Sequence, residues 1–223
     1  MSAVLAPDPE AILRACADGR FVPLFRNRPI GEETVRAEPG ADGRLLLRAE
    51  TRITIRRFDL RQTVIAAFAP DLRPEWCRLE AALDSGRVAL EVEIGPNGAV
   101  TRHLSSGRER SGRVEFDRPP LLLLDNCFAS HALAALGAVR HPQTAAVFVS
   151  LPACEDLPVT RAGTLKVLLG GRAYGPPTLT LHLTPDLDEH VWLSGGWAER
   201  LVIPQTLMSV EWSTSFPHRG GPP

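Results

Sequence analysis

One helix-type segment interrupts a long series of β-type segments, and this arrangement restricts the possible folds more than any other feature of the chain. Four leucines at positions 121–124 run into Asp125 and Asn126, after which residues 127–139 have helical spacing. On both sides of this helix, apolar residues recur at every second position, which is typical of strands that have one face in water. The pattern predicts a large curved antiparallel sheet with one helix across its concave face.

Strand signals are strongest at residues 44–58 and at the dipeptide Asn97-Gly98. Residues 44–58 follow an Asp-Gly turn, and one face of this segment carries Leu45, Leu47, Ala49, Thr51, Ile53 and Ile55. Asn97-Gly98 predicts a hairpin between two alternating segments. In all there are about ten to twelve strand candidates, a number at which open sheets tend to curl or close.

The β-type segments before and after the helix are predicted to form one sheet rather than two. Neither half has enough strands to close comfortably, so we expect a single domain over residues 1–216. Its fold class is mainly β (α+β), as a curved sheet or unclosed β-barrel. Asp8-Pro9-Glu10 has the form of a helix start and predicts a short N-terminal helix over residues 11–17. The Gly- and Pro-rich residues 217–223 are expected to be disordered.

Composition excludes several classes of protein. The formal net charge of −1 gives no reason to expect binding to nucleic acid. The four cysteines are scattered without a Cys-x-x-Cys pair, which argues against a zinc ribbon or a redox motif. The N-terminus has no recognisable signal peptide, and the apolar runs are far shorter than the ~18–20 residues of a membrane-spanning helix. We therefore expect a cytoplasmic protein without stable membrane insertion.

Arginine supplies almost all of the basic residues, since Lys166 is the only lysine. Arg48, Arg52 and Arg56 share one face of the strand predicted over residues 44–58. They could form a phosphate-binding cluster, because guanidinium groups bind oxyanions in bidentate fashion. The simpler interpretation is a solvated strand face, with arginine favoured by genome composition.

The start of the central helix contains residue types found in nucleophilic sites, but in an unsuitable arrangement. Cys127, Ser130 and His131 lie close to Asp125 in sequence. Asp125 and His131 are six positions apart and would project from different helix faces, and no Gly-x-Ser-x-Gly motif is present. We expect His131 to be a packed or hydrogen-bonding residue, and Asp125 or Asn126 to cap the helix, a role worth ~1 kcal/mol.

Two further groups of residues lie in the last third of the chain. His182, Asp186, Asp188, Glu189 and His190 form a His/carboxylate cluster in a predicted polar hairpin loop. A loop brings metal ligands together only by chance of the fold, so we expect no metal site there. The aromatic residues could line the mouth of a ligand site or pack in the core, and they are Tyr174, Trp192, Trp197 and Trp212.

Several segments together resemble a known family. These are Gly31-Glu32-Glu33, the strand over residues 44–58, Leu124-Asp125-Asn126 with His131, and the run 146–151 before Pro152. The layout resembles the unclosed β-barrel of the lipoprotein carrier proteins and their relatives, the glycolipid-binding proteins. The resemblance implies that the helix plugs the concave face and that an acyl chain can lie between helix and sheet. Unlike the lipoprotein carriers, which are exported, this chain shows no signal sequence.

We therefore expect a non-enzymatic binding protein for a lipid-like or amphipathic small molecule, without cofactor, metal or catalytic residues. The expected ligand-binding residues are Phe128, His131, Leu133, Leu136, Tyr174 and Trp192. One alternative is a small hydrolase or isomerase with His131 or His182 as the base. Another is a structural or interaction domain whose interior is filled by its own side chains. Ligand identity, strand order and oligomeric state do not follow from the sequence.

Overall fold

The computed structural model describes residues 9–17, 19–55, 58–84, 86–105, 107–116, 120–141, 145–149, 160–164, 167–169, 178–184, 187–194 and 196–214. These ranges contain two α-helices, α1 (Pro9–Cys16) and α2 (Phe128–Arg140). They also contain the strands β1 (Arg20–Phe25), β2 (Arg28–Pro29), β3 (Gly31–Pro39), β4 (Leu45–Ile55), β5 (Phe58–Phe68), β6 (Pro74–Leu83), β7 (Gly86–Gly95), β8 (Gly98–Ser105), β9 (Arg108–Glu115), β10 (Pro120–Leu124), β11 (Ala145–Val149), β12 (Thr160–Thr164), β13 (Val167–Leu169), β14 (Thr178–Thr184), β15 (Leu187–Ser194), β16 (Trp197–Ile203) and β17 (Met208–Ser213). Tyr174 and the tail 217–223 lie outside the described residues.

The large antiparallel sheet predicted from the alternating segments is present, and it is not closed. Its strand order is β13-β14-β15-β16-β17-β1-β3-β4-β5-β6-β7-β8-β9, with the two-residue β2 beside β1. Most consecutive strands pair as neighbours, and β1 also pairs with β3. β17 returns to β1 and so brings the last described strand beside the first. Within the described ranges, β9 and β13 form the two edges. The mainly β, unclosed fold class is confirmed.

The alternation in β4 separates an interior face from an outer face as predicted. Leu45, Leu47, Ala49, Thr51 and Ile53 are buried, whereas the residues between them are mostly exposed. On the outer face, Arg48 forms an ion pair with Glu50 at 2.8 Å and Arg52 is exposed. Arg56 lies outside the described residues. These two arginines have the placement expected of a solvated strand face.

The leucine run forms β10, a strand of a second sheet with the order β10-β11-β12. β10 pairs with β11 in parallel, with Leu121 opposite Ala146 and Leu124 opposite Val149. The two halves share one large antiparallel sheet as predicted, but this small second sheet with its parallel pair was not predicted. All five residues of β10 are buried, and a continuous apolar run is typical of a strand covered on both faces. Parallel neighbours need a crossover connection, and α2 provides it.

α2 is a core helix, enclosed on nearly all sides. Eleven of its thirteen residues, those from Phe128 to Ala138, are buried. Side chains from the interior face of the large sheet contact the start of the helix, as described below. A Cβ added at Gly137 would lie 2.7 Å from Cδ2 of Leu121, so the helix also packs closely on β10. α2 therefore lies between the two sheets.

α1 begins near the predicted position, and it buries Ile12 and Cys16. The acidic Glu10 in its first turn and the basic Arg14 one turn later complement the helix dipole. Among the described residues, no helix is long and apolar enough to cross a membrane.

Candidate functional site

Three polar side chains lie in one row on the interior face of the large sheet. Glu33 on β3 is opposite Thr51 on β4, and Thr51 is opposite Gln62 on β5. All three are buried. Phe21 on β1 continues the row on one side and Ala81 on β6 on the other, so apolar neighbours flank these three residues. We call Glu33, Thr51 and Gln62 the polar row.

Glu33 caps α2 from a distant part of the chain. Its Oε2 accepts hydrogen bonds from the backbone N–H of Phe128 at 3.0 Å and from Oγ1 of Thr51 at 2.7 Å. Its Oε1 accepts from the backbone N–H of Ala129 at 2.7 Å. The carboxylate thus binds two of the free amides at the positive end of the helix dipole.

The predicted cap at Asp125 or Asn126 is therefore wrong. The residue at the N-cap position is Cys127, whose side chain makes no capping hydrogen bond. Asn126 has a φ of 56° and belongs to the turn before the helix. Because Glu33 occupies the amides of the first turn, the helix needs no capping side chain of its own.

Burial is the main influence on the protonation of Glu33. It raises the pKa of this carboxyl to about 7, although the hydrogen bonds from Thr51, Ala129 and Phe128 and the nearby His131 favour the charged form. Glu33 is thus a buried group that titrates near neutral pH.

Gln62 contacts the turn between β10 and α2. Its Nε2 donates to the backbone carbonyl of Asp125 at 3.2 Å. Because a carbonyl can only accept, this bond fixes the orientation of the amide and identifies the other atom as Oε1. That oxygen is buried and has no hydrogen-bond partner among the residues that the structure describes. Burial also raises the pKa of the neighbouring Asp125 carboxyl, an effect that the charge of His131 partly offsets.

His131 pairs with a carboxylate on the other part of the sheet. Its Nδ1 is 2.6 Å from Oε2 of Glu189 on β15, and its Nε2 donates to the carbonyl of Leu124 at 3.1 Å. Burial alone would lower the pKa of His131, but the charge and hydrogen bond of Glu189 and the bond to Leu124 outweigh it. The pKa is therefore raised. The proton shared by the pair leaves it electrically neutral overall.

The sequence neighbours of His131 form no nucleophilic site in this structure. Ser130 Oγ accepts from the backbone N–H of Leu124 at 2.9 Å and donates to the carbonyl of Cys127 at 2.7 Å. Burial, and then Glu33, raise the pKa of the Cys127 thiol well above its usual value, which disfavours the reactive thiolate. Both ring nitrogens of His131 are already bonded, so no base contacts either nucleophile.

The structure brings four of the predicted ligand-binding residues together. Phe128, His131, Leu133 and Leu136 are all buried on α2. Trp192 is not among them, because Glu189, Val191 and Leu193 are the buried residues of β15 and Trp192 alternates with them. Its ring lies 5.7 Å from the guanidinium carbon of Arg200. Tyr174 lies outside the described residues. A binding role for these six residues stays a prediction.

Two other tryptophans form an aromatic cluster beside the polar row. The ring of Phe21 is 6.0 Å from that of Trp197 and 4.6 Å from that of Trp212, and the two tryptophan rings are 5.5 Å apart. The Phe128 ring meets Phe21 edge-on at 6.4 Å. The cluster therefore connects β1, β16 and β17 to the start of α2, as expected of core aromatics.

Gln62 Oε1 is one of several buried atoms without a partner. Within the described residues, Nε2 of His103 on β8 and Nε1 of Trp197 are also buried and unbonded. His103 belongs to the interior face, and burial followed by the charge of Arg110 lowers its pKa. Buried polar atoms without a protein partner are rare in native proteins, and they indicate a bound water or ion, a strained position or a functional role.

The predicted His/carboxylate cluster does not converge in the part that is described. Glu189 is buried and pairs with His131, whereas Asp188 beside it is only half-buried. The side chains of His182 and Asp186 lie outside the described residues. No group of three or more His, Cys, Asp or Glu side chains suited to a metal ion occurs among those described.

Glu33, Gln62 and Glu189 were not recognised as interior residues from the sequence. The available signal was Thr51, a polar residue on the apolar face of the longest strand. A polar residue on the buried face of β4 favours polar residues directly opposite it on the neighbouring strands. The sequence could have identified Glu33 and Gln62 in this way only if the register of β4 with β3 and β5 had been known.

Comparisons with known proteins show the fold alone. No family model matches the chain, and no curated protein matches it. A solved structure of a DUF1089 family protein from Pseudomonas aeruginosa is similar, with a TM-score of 0.50 and 10% identity. The match covers 82% of this chain and 94% of that one. It supports the large, unclosed antiparallel sheet. The resemblance to lipoprotein carriers and glycolipid-binding proteins is not tested by these comparisons and stays a prediction.

Proposed function

We propose that this protein binds a lipid-like or amphipathic small molecule against α2, on the interior face of the large sheet, and is not an enzyme. The observation that carries the proposal is the buried Oε1 of Gln62, which no described residue pairs, on an apolar sheet face and next to the helix start. Leaving such an oxygen unpaired costs about 1–3 kcal/mol. A ligand that donates a hydrogen bond there would remove this cost.

The surroundings of Gln62 indicate which head group fits. The carboxyl groups of Glu33, Asp125 and Glu189 are gathered around the helix start, against the single imidazole of His131. Above neutral pH, where Glu33 is charged, a carboxylate head would be repelled by it, whereas a hydroxyl or N–H group could donate to Oε1. The apolar tail would lie along the rows of aliphatic side chains on either side of the polar row. We therefore propose a ligand with a neutral, hydrogen-bond-donating head.

The engagement of His131 favours binding over catalysis. A general base needs a nitrogen free to accept the substrate proton. Both nitrogens of His131 are bonded, to Glu189 and to Leu124, and Ser130 is occupied by the turn before α2. A hydrolase or isomerase that uses His131 as its base is for this reason the less favoured alternative. The side chain of His182, the other predicted base, lies outside the described residues.

Binding of amphiphiles that share one twelve-carbon tail tests the proposal. Native mass spectrometry and calorimetry would compare monolaurin, with hydroxyl donors, against laurate, with a carboxylate. We expect monolaurin to bind at least about tenfold more tightly, which corresponds to ~1.4 kcal/mol. Gln62→Leu should abolish this preference, whereas Thr63→Val, on the opposite face of the same strand, should leave it unchanged.

If neither compound binds or raises the thermal midpoint, the proposal fails. The alternative of an interior filled by its own side chains would then hold.

A further inference from the structure

We propose that the first turn of α2, which Glu33 and the His131–Glu189 pair fasten to the large sheet, detaches from that sheet as the pH rises. The two attachments come from distant parts of the sheet, since β16, β17 and β1 lie between β15 and β3. Both act on the first four residues of the helix, at Phe128, Ala129 and His131. Docking of this turn joins two regions of the sheet that share no direct strand pairing.

The first turn depends on these attachments because α2 carries no cap of its own. Without Glu33, the backbone N–H groups of Phe128 and Ala129 would be buried and unpaired. The following residues, from Ala132 to Ala138, are all apolar or glycine, so their packing does not vary with pH. The pH-sensitive part of docking is therefore confined to the N-terminal end of the helix.

The charged groups facing this end come from four elements. They are Glu33 on β3, Glu189 on β15, His131 on α2 and Asp125 in the turn before it. The nearby thiols do not titrate near neutral pH, because burial raises the pKa of Cys16 on α1 and of Cys77 on β6 to about 12 and that of Cys127 well above its usual value. At the far end of the helix, His141 lies 3.8 Å from Asp71. The pKa of Asp71 is already lowered, so it is charged throughout the neutral range.

The direction of the effect follows from proton linkage. When docked, Glu33 has a pKa of about 7, against 4.5 for an exposed carboxyl. Between these values the docked state holds a proton that the detached state has lost, so detachment rises with pH, by up to about tenfold per pH unit. His131 acts in the same direction, since its raised pKa means that docking retains a proton which detachment releases. Acidic pH therefore stabilises the docked first turn of α2, and neutral to alkaline pH favours its detachment.

Detachment would expose the interior face next to Gln62, and this consequence rests on the proposed function. Ligand entry and release would then be faster above neutral pH than below it. The attachment itself does not depend on any ligand and is tested without one.

Amide hydrogen exchange of the full chain, followed by mass spectrometry from about pH 5.5 to pH 8, is the decisive experiment. Protection factors are corrected for the intrinsic rate at each pH. We expect the first turns of α2 to be less protected than β4 and β5, and their protection to fall by about tenfold or more up to pH 7. In Glu33→Gln the fall should be much smaller. Glu32→Gln, next in sequence and paired with Arg20 at the surface, should behave as the wild type.

Equal protection of α2 and β5 would overturn the proposal, as would protection that does not change with pH or a Glu33→Gln variant with the wild-type slope. If Glu33→Gln does not fold, Thr51→Val provides the second test. It keeps the carboxylate but removes a hydrogen bond that favours its charged form, so the fall in protection should move to higher pH. If the exchange experiment contradicts pH-dependent detachment, the proposal of amphiphile binding still stands. If no amphiphile binds, the exchange result is unaffected, because it is measured without a ligand.

Discussion

At the scale of single residues, the buried carboxylates of Glu33 and Glu189 each provide what the sequence of α2 lacks. Glu33 takes the place of a capping side chain, and Glu189 neutralises the imidazole of His131. Buried charges are tolerated only when they are paired and hydrogen-bonded. Glu189 is paired with His131, and Glu33 accepts hydrogen bonds from Thr51, Phe128 and Ala129, so the contribution of each carboxylate depends on these partners being present.

Thr51→Val should destabilise the protein by about 1–2 kcal/mol. The substitution removes the 2.7 Å bond to Glu33 while keeping the shape of the side chain, so the buried carboxylate loses one donor. Thr54→Val is the matched control, because Thr54 lies on the exposed face of β4 and donates a hydrogen bond to Asp59 on β5. We expect a loss below about 0.5 kcal/mol for the control. Urea denaturation measures both, and equal losses would contradict the role assigned to Thr51.

Breaking the His131–Glu189 pair from either side should cost about 3–5 kcal/mol, because one buried polar group is left without its partner. The double variant His131→Leu/Glu189→Met removes both groups. We expect it to be more stable than at least one of the single variants, since apolar side chains of similar volume can replace a buried pair. A double-mutant cycle by chemical denaturation gives the coupling energy. Additive losses would show that the pair is not coupled.

At the scale of elements, β10 and α2 form one buried unit. The strand is covered on both faces and the helix on nearly all sides, so neither has the alternating polar face of a surface element. Gly137 is the point of closest approach between them. A side chain there would meet Leu121, which is itself buried.

Gly137→Ala should destabilise the protein by about 1–2 kcal/mol, although alanine is the better helix former. The gain in helix propensity is about 1 kcal/mol, and it is outweighed by the 2.7 Å approach to Leu121 Cδ2 in a closely packed interior. Leu121→Val shortens the opposing side chain. Combined with Gly137→Ala it should recover part of the loss, as measured by thermal and urea unfolding. A stabilised Gly137→Ala variant would mean that Leu121 can move aside.

At the scale of the whole molecule, the first and last described strands of the chain pair with each other, whereas the two edge strands of the large sheet do not pair within the described ranges. β17 pairs with β1 inside the strand order, and β9 and β13 lie at the two edges. β9 carries charged residues at five of its eight positions and is almost fully exposed. Such a strand discourages pairing with another chain.

Unfolding free energy should fall as the pH rises from about 5 to about 7. The pKa of Glu33 is raised from 4.5 to about 7, so the folded state binds the extra proton in this range and loses about 2 kcal/mol of stability across it. The raised pKa of His131 acts in the same direction, with its contribution lost as the pH passes through the folded value. The lowered pKa of His103 acts in the opposite direction.

The difference between wild type and Glu33→Gln isolates the Glu33 contribution. Urea denaturation at matched pH values should show a flatter profile for the variant. Asp71, whose stabilising effect is complete well above pH 3.8, contributes nothing to the difference in this range. Parallel profiles for the two proteins would show that Glu33 does not titrate on folding.

The sequence by itself determined which apolar residues face the interior and where the two helices lie. The alternation in β4, the Asn97-Gly98 hairpin between β7 and β8, and the position of α2 are all present as predicted. These features follow from periodicity and turn chemistry, which depend only on near neighbours in the chain. The same reasoning identified Phe128, Leu133 and Leu136 as buried.

Only the tertiary structure decided which distant residues meet. Glu33 reaches amides 95 and 96 positions further along the chain, and β10 pairs in parallel with β11 across a helix. Periodicity assigns a residue to a face but does not say which strand lies beside it or in which register. The polar row, the capping of α2 and the pairing of His131 all depend on that register, because hydrogen bonds act over about 3 Å while the chain order leaves the partners undetermined.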